Sequence, residues 1–77
     1  MSVELRDLYK KVVDHFGSQT LTAKALGLEQ PSVNAWLKGK TKMSINSALV
    51  AERKTMGKFK AIDLSPDFKK INEKLGL

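Results

Sequence analysis

Between Gly17 and Gly39 the sequence SQTLTAKALGLEQPSVNAWLK sets helix-start and helix-stop signals so close together that it admits only two short helices and a tight turn. Ser18 carries the short polar side chain of an N-cap. Leu21, Ala25 and Leu26 are the apolar positions of the segment that follows, about nine residues long, and Gly27 closes it. Glu29 takes the next N-cap position. Pro31 falls in the first turn, where the amide it lacks would have no partner in any case. Val33, Trp36 and Leu37 form the inward face of this second segment, while Gln30, Ser32, Asn34, Ala35 and Lys38 point outward and Gly39 ends it. Ala23 is small where the two helices must approach. Two short helices separated by Gly27-Leu28-Glu29 have the length and punctuation of a helix-turn-helix over about residues 18–38.

The flanks read as helices too. Leu5, Leu8, Tyr9, Val12, Val13 and Phe16 recur at i, i+3, i+4, i+7, i+8 and i+11, the apolar stripe of an amphipathic helix over about residues 3–16. Ser2 caps its start and Gly17 its end. Ser44 opens a fourth helix with Ile45, Ala48 and Leu49, continued by Glu52 to Met56 and stopped at Gly57; Met43 and Met56 are expected to pack. FKAIDLSPDF reads as one helical turn before Pro66 or a stub of strand. Phe68, Ile71 and Leu75 mark a last helix in a tail, about residues 66–77, that either docks or frays. A hairpin of MSIN and GKFKAI is disfavoured because residues 47–54 are good helix formers with Val50 as their β-branched exception. The expected fold is all-α, a single domain over residues 1–77 of about five helices.

The 77 residues suffice for one small core, and 42% hydrophobic with 29% charged residues is the balance of a folded domain. Cysteine is absent, which excludes a disulfide framework and a Cys-based zinc site and fits a reducing cytoplasm. No apolar run approaches the roughly 18 residues of a membrane span, and MSVELRDLYK mixes charges too early for a signal peptide; a cytoplasmic protein without membrane contact is expected. The net charge is +6 and the pI near 9.8. That excess is local: Lys38, Lys40, Lys42, Arg53, Lys54, Lys58 and Lys60 face Glu52 alone, while residues 1–37 are nearly balanced. A polyanion is the commonest partner of so basic a small domain.

A protruding helix start offers backbone amides and a positive dipole end to phosphate oxygens. Gln30 and Asn34 add amides able to pair with adenine N6 and N7, and Ala35 can meet a thymine methyl. Lys38, Lys40 and Lys42 follow at once and suit phosphate contact. Trp36 keeps a core register with Val33 rather than a stacking one.

At these residues the chain resembles a known family. GSQTLTAKALGLEQPSVNAWLKGK looks like the helix-turn-helix of Cro-like phage repressors, and SALVAERKTMGKFKAIDLSPDF looks like the tail of that family's all-helical branch, shared with YdaS-type antitoxins. The tail features are Thr55, Gly57, Phe59, Asp63, Leu64, Pro66 and Asp67, and the resemblance spans about residues 12–68. It implies the lambda-repressor-like fold and base reading by Gln30, Pro31, Ser32, Asn34 and Ala35, with Gln19 and Lys38 near the backbone. It also implies a homodimer on a pseudo-palindromic operator in double-stranded DNA; separately, because the apolar tail residues can serve either core or interface, a dimer that is weak until DNA joins it is expected. Two positions depart from the family pattern. Thr22 stands where a leucine usually packs inward, a role expected to pass to Leu21, and Glu29 replaces the usual Ser, Thr or Asp cap.

Enzymatic chemistry has little to stand on. His15 is the single histidine and lies near a helix end; Asp14, His15 and Ser18 are close in sequence only, and neither a phosphate loop nor a nucleophile elbow is present. No cofactor or metal is expected. The same fold as an antitoxin-like regulator is the nearest alternative, followed by a module whose lysines grip an acidic protein. Non-specific RNA binding is disfavoured because Tyr9, Phe16 and Trp36 occupy core registers. Phe59, Ile62 and Leu64 fit either a dimer interface or the core of the monomer.

Overall fold

A computed structural model of the chain describes residues 3–76 and places six helices among them, with no strand. They fall into two compact units, one ending at Lys42 and one beginning at Met43. The expected cap at Ser2 lies outside the described residues.

In the first unit, α1 (Val3–Phe16), α2 (Gln19–Leu26) and α3 (Gln30–Leu37) all touch one another. The stripe of α1 buries Tyr9, Val12 and Val13, with Leu5, Leu8 and Phe16 half-buried. Helices α2 and α3 have eight residues each, below the ~12–15 at which an isolated helix holds in water, so packing and end-capping must hold them. Ser18 caps α2 as expected, its Oγ accepting from the Leu21 amide at 3.1 Å. Gly27 adopts the left-handed conformation at φ 70°, which lets the Leu28 amide reach back to the Ala23 carbonyl at 2.8 Å and closes the helix. Gly39, at φ 75°, ends α3 in the same way, with the Lys40 amide bonded to the Ala35 carbonyl at 3.0 Å.

The inward face of α2 differs from the sequence expectation. Leu21 is 50% exposed and Thr22 is fully buried beside Ala23 and Leu26, while Ala25 is half-buried. Thr22 tolerates this because its hydroxyl donates to the Ser18 carbonyl one turn earlier at 2.7 Å, leaving its methyl group for the interior. On α3, Val33 and Trp36 are buried and Leu37 is half-buried; the Trp36 ring lies 5.6 Å from that of Tyr9, tilted by 44°. Such a pair adds about 0.5–1.5 kcal/mol beyond the area it buries.

The second unit comprises α4 (Ile45–Lys54), α5 (Ala61–Leu64) and α6 (Pro66–Leu75), each packed on the next. Ser44 caps α4 through the Ser47 amide, and the helix ends at Lys54, short of the expected Met56. Its buried residues are Ser47, Ala48 and Ala51; Leu49 is 46% exposed, and Met56, expected to pack, is 94% exposed with a left-handed φ of 55°. Met43 is buried as expected.

The residue pattern of the tail has a mechanical basis. Thr55 is buried, and its hydroxyl donates to the Ala51 carbonyl at 2.8 Å while accepting from the Phe59 amide at 3.3 Å, fixing the turn. Glu52, the lone acid of the basic run, accepts the Ala61 amide at 2.7 Å and so caps α5 from α4. FKAIDLSPDF forms the helical turn rather than the strand. Phe59, Ala61 and Leu64 are buried and Ile62 is half-buried, which assigns Phe59 and Leu64 to the monomer's interior. Ser65 caps α6 through the Phe68 amide, with Pro66 at its first position and Asp67 in its first turn, so this helix is well begun. It buries no residue completely: Phe68 is half-buried, while Ile71 and Leu75 are exposed.

Two substitutions test this account in urea unfolding. Thr55→Val should cost about 1–3 kcal/mol by stranding the Phe59 amide, with Thr55→Ser recovering much of the loss. Met56→Gly should add about 1 kcal/mol by relieving the left-handed backbone.

Candidate nucleic-acid interface

The interface proposed from sequence lies on the first unit, and the structure fixes where its members stand. The start of α3 is exposed: Gln30, Pro31 and Ser32 are all open to solvent. Glu29 has the extended backbone of an N-cap, but its side chain caps nothing. Fewer amides are free here than an ordinary helix start would offer. Pro31 has none, and the Ser32 amide is bonded back to the Glu29 carbonyl at 3.0 Å. Side chains therefore carry most of the polar surface of this first turn.

Gln30 and Asn34 are four residues apart and share one face of α3. They are not equivalent. The Thr20 hydroxyl, on α2, donates to Gln30 Oε1 at 3.3 Å, so the carbonyl end of that amide is engaged within the protein and its NH2 end is the one presented. Asn34 is half-buried, flanked by half-buried Ala35, and its side chain carries both the donor and the acceptor that the adenine edge requires. Adenine pairing through both ends of the amide thus fits Asn34 better than Gln30. Thr20 is the residue that sequence reading missed; a threonine in the first turn of a helix gives no sign that it will meet a side chain ten positions later.

Gln19 is the first residue of α2, and the Thr20–Gln30 bond brings the starts of α2 and α3 side by side. Lys38, Lys40 and Lys42 are exposed at the opposite end of α3 and in the turn after it. They are thus separated from Gln30 along the helix rather than clustered around it. Arg53, Lys54, Lys58 and Lys60 belong to the second unit, where Lys58 Nζ sits 5.8 Å from the centre of the Phe59 ring. His15 is exposed with its ring edge-on to Phe16 at 5.1 Å, a packing role.

The geometry defines a small all-helical protein built on a helix-turn-helix, with the start of the second helix of that motif left open. The family model described as bacterial toxin YdaS matches residues 9–72, and the chain belongs to that family. The regulatory protein Cro of Pseudomonas phage D3 is 48% identical over 61 residues, covering 79% of this chain and 84% of that protein. The putative transcriptional regulator YdaS of Escherichia coli strain K12 is 34% identical over 59 residues, 77% of this chain and 60% of that protein. Both relatives carry the names of regulators, not enzymes. No solved structure matches the chain significantly. No described helix is long and apolar enough to cross a membrane.

Thr20→Val removes the hydroxyl that holds Gln30 and leaves α2 otherwise intact. In a duplex-binding assay over single-base variants of a preferred site, it should alter preference at the position Gln30 faces and leave the others unchanged.

Proposed function

We propose that this chain is a sequence-specific DNA-binding regulator of transcription, a Cro-like repressor that occupies a pseudo-palindromic operator as a homodimer. The observation that carries the reading is the open first turn of α3 with the Asn34 side-chain amide one helical turn behind Gln30, on a helix-turn-helix followed by three exposed lysines. The start of α3 enters the major groove, where Asn34 pairs with an adenine, Gln30 donates to a base acceptor, and Pro31, Ser32 and Ala35 shape the contact. Gln19, Lys38, Lys40 and Lys42 hold the phosphate backbone and set the register. The relative named Cro supports the regulatory role. Repression follows from occupancy, since an operator filled by protein is closed to the polymerase. Residues 1–77 act as one DNA-binding module, at work in the cytoplasm.

The family description as a toxin supports a second reading, in which the same fold serves in a toxin–antitoxin pair. Growth arrest on expression, retained in an Asn34→Ala variant that no longer represses, would favour it.

The first reading has a definite electrostatic signature. A dimer neutralising about 6–10 phosphates loses about 10³–10⁵ in affinity between about 50 and 200 mM salt. Asn34→Ala should lose about 1–3 kcal/mol and relax preference at one base position, whereas Lys40→Ala should weaken all duplexes alike. Identical behaviour of the two variants on specific and random duplexes would remove Asn34 from base reading.

A further inference from the structure

Met56 stands where the fold has least use for it. It follows α4 at φ 55°, and the Gly57 amide after it reaches back to the Glu52 carbonyl at 2.8 Å, so Met56 holds the left-handed closing position at which helices ordinarily take glycine. A residue with a Cβ incurs backbone strain there that glycine avoids. The side chain returns nothing to the interior: at 94% it is the most exposed of the large apolar residues described. Strain kept at an exposed apolar side chain calls for a reason outside the fold.

Leu49 supplies a second observation. It is 46% exposed on α4 and lines one surface hollow with Met56, Glu52, Arg53 and Gly57, all from the second unit. The charge around this hollow is mostly of one sign. Between residues 49 and 60 stand Arg53, Lys54, Lys58 and Lys60, all exposed, against Glu52 alone. Glu52 is half-buried, and its Oε1 already accepts the Ala61 amide at 2.7 Å. The Lys60 ammonium lies beside the hollow, since a Cβ on Gly57 would stand 3.3 Å from Lys60 Nζ.

These features choose among occupants. Phosphate would meet the cations and leave Leu49 and Met56 uncovered. A second copy would cover the apolar pair but, about a two-fold axis, would bring the same four cations against themselves, and like charges facing across an interface oppose association. An acidic segment with an apolar side chain satisfies both halves of the surface.

We infer that the hollow docks a short acidic amphipathic segment of another protein, with one apolar side chain seated between Leu49 and Met56 and flanking carboxylates meeting Arg53 and Lys60. None of these residues belongs to α2 or α3, so this surface stands whether or not the start of α3 reads DNA.

The probe is a library of random short peptides displayed on phage and selected on the full chain at low salt. Selection should enrich peptides that carry acids around an apolar residue. In protein labelled with carbon-13 at the methionine methyl groups, these peptides should shift Met56 and leave the buried Met43 in place. Met56→Gly removes the strain together with the side chain, so it should give a more stable protein that binds the selected peptides about tenfold or more weakly, a pairing that a damaged fold does not produce. Arg53→Gln should also weaken them and flatten their salt dependence. No enrichment, enriched peptides without acids, or peptides bound equally well by Met56→Gly would each overturn the docking site. A Met56 methyl that shifts as the free chain is diluted would overturn it in favour of a second copy, and one that shifts with a random-sequence duplex would overturn it in favour of nucleic acid.

Discussion

Helix α3 is eight residues long and has no side chain capping its start, so its existence depends on burial of Val33 and Trp36. The contact between the Trp36 and Tyr9 rings is the fixed point of the first unit, because it ties the outward-facing helix to the longest helix of the chain. Everything that makes α3 useful follows from being held on one side only. Its inward residues belong to the core, which leaves Gln30, Ser32 and Lys38 exposed. The left-handed glycines at 27 and 39 complete the arrangement by ending α2 and α3 abruptly, each through a bond from the residue after the glycine back into the last turn. A helix anchored in this way is presented as a rigid body, and in the proposed function that rigidity turns a few amide contacts into discrimination between bases.

Charge is distributed by a different logic in the two units. Of the six lysines of the first unit, Lys10, Lys11 and Lys24 lie on α1 and α2, while Lys38, Lys40 and Lys42 stand at the end of α3 and in the turn after it, away from the amides at its start. Under the proposed function, positioning and base reading fall at opposite ends of one helix, so sequence-independent affinity and sequence preference can be altered separately. In the second unit the single acid of the basic run, Glu52, is committed to the Ala61 amide and is therefore part of the turn between helices.

Much of this was legible in the sequence, and the exceptions have physical causes. The N-caps at Ser18 and Ser44, the closures at Gly27 and Gly39, and the inward pair Val33 and Trp36 follow from local rules that tertiary contacts did not override. Thr22 did not follow them: hydropathy ranks leucine above threonine, but a threonine that returns its hydroxyl to the preceding turn presents only a methyl group to the interior. Met56 escaped because periodicity describes which face a helical residue takes, and Met56 is the left-handed residue just beyond the helix, where the face rule no longer applies. Among the interface residues, positions along α3 could be read directly from the spacing. The restraint of Gln30 by Thr20 could not, since it joins side chains from two helices whose crossing is set only in the folded chain.

The central claim is that the open start of α3 reads a DNA sequence, and selection from a random pool of duplexes at physiological salt tests it most directly. The account predicts enrichment of a palindrome with half-sites about one helical turn apart, as two copies of one reading helix require. A folded protein that enriches no sequence would contradict it.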